Sequence, residues 1–263
     1  MIHFPPIKTR RLNLELKELT IAQAVSLASM PPKLEEAEYT KFLKFIIKES
    51  EGLSDPLDWT VQERMLVVAQ YLSATHDEGP DFPIGDEAHY SDYLEGETDI
   101  FYADEQVPVG ELEGDKWKIQ HLLGRHAEAI ESLSGEIKGP DEEPITPYFH
   151  YLLGTMAAQL VREKEEIPDP KDGAGKYEEF LLNRMKIFAN YPESAFAALM
   201  FMWEQGREKL HHLFTIEIDR VNGGYVAAPK GGAVESRNLP LARFPVSTVI
   251  TSCSRFIGQN FVR

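Results

Sequence analysis

Two capping boxes fix where helices must begin. Thr20 is followed three residues later by Gln23, and Thr60 by Glu63. In this pattern the hydroxyl accepts from the third helical N–H, and the longer side chain reaches back to the cap's own N–H. The first box opens Glu18–Ile47, ELTIAQAVSLASMPPKLEEAEYTKFLKFII, which Pro31-Pro32 breaks in two. Beyond the break Tyr39, Phe42, Leu43, Ile46 and Ile47 recur at helical spacing and form one apolar stripe. The second box opens WTVQERMLVVAQYL from Trp59, with Val61, Met65, Leu66, Val68 and Leu72 on one side. Helices are therefore expected over Thr20–Met30, Leu34–Ser50 and Thr60–Ser73. Ahead of them Ile7–Leu16 alternates apolar and polar at Leu12, Leu14 and Leu16, as a half-buried strand does.

Gly79, Pro80, Pro83 and Gly85 then lead into an acidic, aromatic-studded stretch. Its aromatic content is too high for a disordered linker. Ile100–Ala103, Val107–Glu113 and Trp117–Gln120 read as short strands, and His121–Ser134 as the helix that closes them. After a Pro- and Glu-rich connector, Thr146-Pro147 caps a helix over Tyr148–Glu163. Helices Lys176–Ala189 and Pro192–Leu210 follow, the latter apolar on all sides over Phe196–Trp203 and hence expected as the central buried helix. Leu213–Ile218 reads as a strand and Val246–Ile250 as another. Between and around these, Gly223-Gly224, Gly231-Gly232, Pro240 and Pro245 mark an extended arm. No internal repeat is visible. The expected fold is mainly α (α+β): a helical-bundle body, a small mixed insertion and an extended C-terminal arm. The matching divisions are 1–76, 77–140, 141–218 and 219–263.

Charge narrows the partners. The net charge of −16 opposes nonspecific binding to nucleic acid or to anionic membrane. Fourteen acids and no Lys or Arg lie between Asp77 and Asp115, whereas bases outnumber acids from Glu217 to Arg263. An acidic middle and a basic end on one chain suit head-to-tail contacts between copies, or docking on neighbours of opposite charge. The N-terminus has no apolar signal core, and the longest fully apolar run, Ala195–Trp203, is too short to span a bilayer. A single cysteine, Cys253, excludes an internal disulfide framework.

No pattern of catalytic residues stands out. DGAGKY at Asp172–Tyr177 lacks the spacing, the preceding strand and the hydroxyl that a phosphate-binding loop needs. His121 and His126 are five apart and His211-His212 are adjacent, so neither pair shares a helical face. The carboxylates of the acidic stretch lack the calcium-loop pattern. No cofactor and no metal are expected.

The short strand, then LTI-x-x-A at Leu19–Ala24, then a helix ending in FL-x-x-II at Phe42–Ile47, then WT-x-x-ER at Trp59–Arg64 leading into an acidic loop, resembles the baseplate-hub and tail assembly proteins of tailed bacteriophages. The resemblance covers the first third of the chain and lends no functional residues. It implies a non-enzymatic structural component of a phage tail or baseplate, in the host cytoplasm during assembly and then in the virion. Its partners would be other tail or baseplate proteins and further copies of itself, with no nucleic acid and no membrane. An assembly chaperone absent from the finished virion fits the same resemblance. A hydrolase with its site in the acidic insertion, using Asp86, Glu87 and Asp92, is the alternative from another class. Expected interaction residues are Phe244, Val246, Phe256, Ile257 and Phe261, donated by the arm to neighbouring subunits. On this view a chain ending at Ile218 keeps a folded body and loses assembly.

Overall fold

The computed structural model describes residues 2–171, 175–231 and 239–250. They form two compact units. One comprises the chain to Ile100 together with Leu213–Glu217 and the described residues from Val226 on; the other comprises Phe101–His212 and Ile218–Tyr225.

In the first unit β1 (Ile7–Lys8), β2 (Leu12–Leu16) and β3 (Ile47–Gly52) form an antiparallel sheet with β2 at its centre. Leu12, Leu14 and Leu16 point into the core while Glu15 faces water, the period of two that the sequence carries. Between β2 and β3 lie α1 (Ile21–Ala28) and α2 (Glu35–Ile46). Thr20 Oγ1 accepts from Gln23 N–H at 3.3 Å, and Thr20 N–H donates to Gln23 Oε1 at 2.9 Å, so the expected box is made. The second box starts α3 (Val61–Thr75), with Glu63 N–H on Thr60 Oγ1 at 3.1 Å. A small hairpin, β4 (Pro83–Ile84) with β5 (Ala88–His89), follows.

The second unit has its own antiparallel sheet of β6 (Val107–Leu112), β7 (Asp115–Ile119) and β8 (Leu160–Arg162), with β7 central. Helices α4 (Gly124–Ser132) and α5 (Pro147–Gln159) lie between β7 and β8, and α6 (Lys176–Ala189) and α7 (Glu193–Lys209) follow. Gly206 lets α7 settle on the sheet: a Cβ there would stand 2.6 Å from Val109 Cγ1 and 2.9 Å from Ile119 Cδ1. A last hairpin, most of whose strand residues belong to the first unit, pairs β9 (Thr215–Ile218) with β10 (Tyr225–Ala228).

Each unit thus runs β-β-α-α-β with the second strand in the middle, and the likeness extends to detail. α2 passes directly into β3, and α5 directly into β8. At each junction the first strand residue still donates to a helical carbonyl while its ψ turns extended, to 122° at Ile47 and 131° at Leu160. Leu16 pairs with Ile47 and Ile119 with Leu160; the next residue donates back to the helix end, Lys17 N–H to Ile46 O at 2.8 Å and Gln120 N–H to Gln159 O at 2.9 Å. The following helix starts at the same offset, after Thr20 and after Leu123, and its third residue caps it, Gln23 in one unit and His126 in the other. The repeat that the sequence hides is therefore one of topology. Matched positions keep burial, as in Leu14 and Trp117 or Leu27 and Ile130, but not identity.

The expected helical-bundle body is corrected to a mixed α/β fold, with the strands among the described residues in four small sheets. The missed strands are β3, β4, β5, β8 and β10, and the strand expected over Ile100–Ala103 is not formed, its first two residues ending a 3-10 helix over Gly96–Phe101. Ile47–Gly52 contains residues a helix accepts, yet pairing with β2 overrides that preference. The extended arm is corrected too. Ala242, Phe244, Val246 and Ile250 are buried in the core of the first unit. Val246–Val249 is a 3-10 turn, not a strand. In that core Phe82 stacks on Tyr90 at 5.2 Å, and Phe244 meets both edge-on at 6.1 Å.

Candidate functional site

Helix α7 exposes a large apolar side chain on its outer face. Pro192 precedes it, fixing the turn from which the helix starts. Its inner face is Leu199, Trp203 and Gly206, with the Trp203 indole N–H donating to Gln159 Oε1 at 3.0 Å and Arg207 lying over the ring at 4.6 Å. The centre of its outer face is also apolar. Ser194, Ala197, Ala198, Phe201 and Gln205 are exposed at i, i+3, i+4, i+7 and i+11, one stripe of a helix. Phe201, in the middle, is 62% exposed. Exposed Glu193, Glu204 and Glu208 lie along the edge of this stripe. The expectation of a centrally buried helix is thereby corrected: only one side packs, because the sheet beneath covers only one side. A ring left in water on an apolar face, rimmed by charge, is how a docking surface presents itself.

The titratable clusters are occupied with holding the fold. Glu63 is buried; its Oε2 accepts from Thr60 N–H at 2.8 Å and from Arg11 Nη1 at 3.1 Å. Burial pushes its pKa up, against the opposing pull of Arg11 and the Thr60 bonds. A carboxyl raised in the folded state contributes stability that is full below its unfolded value and is lost as pH rises through the folded one. Relative to Glu63→Gln, the wild-type chain should therefore lose stability between pH 4 and pH 7. Urea denaturation of both at the two pH values checks this, and parallel curves would refute it. Beside it Arg64, also buried, donates through Nη2 to Glu36 O at 2.7 Å and Thr40 Oγ1 at 3.0 Å, tying α3 to α2.

In the second unit Arg184 is buried 3.3 Å from Glu165, with its guanidinium over Trp117, Phe180 and Phe188. Burial lowers its pKa to about 10. Arg162 lies over the same Trp117 ring at 5.0 Å. His121 and His212, both buried, come together with Tyr102: Tyr102 stacks on His121 at 4.2 Å, and His212 meets both edge-on. Sequence reasoning missed this trio, since nothing local links positions so far apart. Among the described residues no group of three or more His, Cys, Asp or Glu is placed to hold a metal ion, and no helix is long and apolar enough to cross a membrane.

Several carboxylates of the acidic stretch hold local structure. Asp81 accepts from Ser91 N–H at 2.7 Å and from its hydroxyl at 2.9 Å, Asp92 Oδ2 from His89 N–H at 2.8 Å, and Asp99 Oδ2 from Arg10 N–H at 2.6 Å. Asp86 and Glu87 are exposed in the β4–β5 turn. Of the expected interaction residues, Phe244 and Val246 are 2% and 1% exposed inside the first unit, so they serve its core rather than a neighbour's. Phe256, Ile257 and Phe261 lie outside the described residues.

No protein-family model, no curated protein and no solved structure matches the chain.

Proposed function

We propose that the protein is a non-enzymatic structural component of a phage tail or baseplate, acting through protein–protein contacts in virion assembly. It works first in the host cytoplasm and then as part of the particle. The observation that carries this reading is the outer face of α7, where Ala197, Ala198 and Phe201 stand in water with carboxylates along the edge. Burying such a face against a neighbour returns about 25 cal/mol per Å² of apolar area before ordering costs. The resemblance of the N-terminal third supports the setting, and the net charge of −16 favours basic protein partners over nucleic acid.

The test is incorporation. Phe201→Asp removes no buried contact, so the chain should keep its thermal midpoint within a few degrees while its incorporation into particles falls at least about tenfold. Quantitative mass spectrometry of purified particles reads this out, and undiminished incorporation would sink the reading. The same spectra separate component from chaperone: a structural part is present in the finished particle, and a chaperone is missing.

A further inference from the structure

The face on α7 has a partner written in the same chain. Residues 251–263, TSCSRFIGQNFVR, lie outside the described residues and contain no acid. They carry Phe256, Ile257, Phe261 and Val262 between Arg255 and Arg263. The two cations flank apolar residues on either side of Gly258-Gln259-Asn260, and the α7 face carries Glu193 at one end and Glu204 and Glu208, next to exposed Lys209, at the other, so the charges at the two ends are largely complementary. The lengths agree as well. Glu193 to Glu208 spans about 22 Å of helix at 1.5 Å per residue. An extended Arg255–Arg263 would reach up to about 26 Å, long enough to span Glu193 to Glu208, and strand alternation would put Ile257 and Phe261 on the same side as both guanidinium groups.

We infer that residues 251–263 of one copy dock on the outer face of α7 of a second copy. This rests on the assembly role proposed above and names the partner of that surface. The contact is heterologous: each copy uses one patch to give and a different patch to receive. Contacts of this kind close into rings or extend as filaments, whereas a two-fold contact stops at a dimer. The opposite charges of the two patches favour this pairing over face against face, which would bring Glu204 and Glu208 of two copies together.

The experiment uses the full chain in three forms: wild type, Phe201→Asp with a spoiled face, and Phe256→Asp/Ile257→Asp with a spoiled tail. Light scattering on size-exclusion fractions gives the mass of each across micromolar to submillimolar concentration. Circular dichroism checks that all three are folded. The wild-type mass should rise with concentration, and each variant alone should stay monomeric. An equimolar mixture of the two variants should form a one-to-one complex, because one supplies the intact tail and the other the intact face. A wild-type chain that stays monomeric throughout overturns the inference. So does a mixture that does not pair, which would point to an isologous contact. Particle incorporation is read separately: loss of incorporation by Phe201→Asp without pairing in the mixture leaves the assembly role standing and assigns the face to a different protein.

Discussion

A chain ending at Ile218 should lose the fold of its first unit. Such a chain lacks Ala242, Phe244, Val246 and Ile250, each at most 4% exposed. Burial of the three large side chains is worth about 1.5–3 kcal/mol each, before the cost of the cavities they would leave. The polar anchors go with them. Tyr39 donates its hydroxyl proton to Phe244 O, Tyr93 does the same to Pro240 O at 2.6 Å, and Ala227 and Ala242 exchange two backbone bonds at 2.9 and 2.8 Å. The loss is comparable to the whole stability of a domain, about 5–15 kcal/mol. Phe244→Ala alone should cost about 3–5 kcal/mol. Urea denaturation followed by near-ultraviolet dichroism reports both effects. A truncated chain with an unchanged first transition would show that these residues are an appendage after all.

Acid should unfold the second unit through His126. This imidazole is 6% exposed, accepts the Leu123 N–H on Nδ1 at 3.2 Å, and is held at about 4 by burial and by Arg125. A group whose folded pKa is depressed contributes stability above its unfolded value, about 6.5, and loses it as pH falls toward the folded one. The gap corresponds to about 3 kcal/mol. His150 is lowered by burial as well, opposed by its bond to Ile130 O, and adds in the same direction. Glu63 in the first unit works with the opposite sign, so the two units should respond differently to acid. His126→Gln keeps an acceptor at the cap, as Gln23 does for Thr20, and cannot titrate. Its urea midpoint should fall less than that of wild type between pH 6.5 and pH 4. Equal falls would mean that the histidine is not the sensor.

What the sequence revealed follows from range. The capping boxes at Thr20 and Thr60 are complete within four residues, and the structure makes both. The alternation of Leu12, Leu14 and Leu16 is equally local. Strands β3 and β8 were not legible, because their partners β2 and β7 are fixed by tertiary pairing and the preceding helices leave no break before them. The all-apolar stretch of α7 predicts burial on every side; periodicity cannot say how many neighbours a helix has. Phe244 and Val246 sit among prolines that mimic an arm, and only residues as remote as Tyr39 and Phe82 reveal that they are core. The meeting of His121, His212 and Tyr102 left no local trace at all.

The discontinuity of the first unit also sets an order of events on the ribosome. Chains emerge at about 5–20 residues per second, and domains nearer the N-terminus usually fold first. Here the leading unit waits for Phe244 and Ile250, which follow Ile100 by about 7–30 s at those rates. The second unit, nearly continuous from Phe101 to His212, can close in the meantime. Until those residues emerge, Phe42, Phe82 and Tyr90 therefore lack part of their cover. The unit translated first is completed last, so a prematurely released fragment exposes part of its own core.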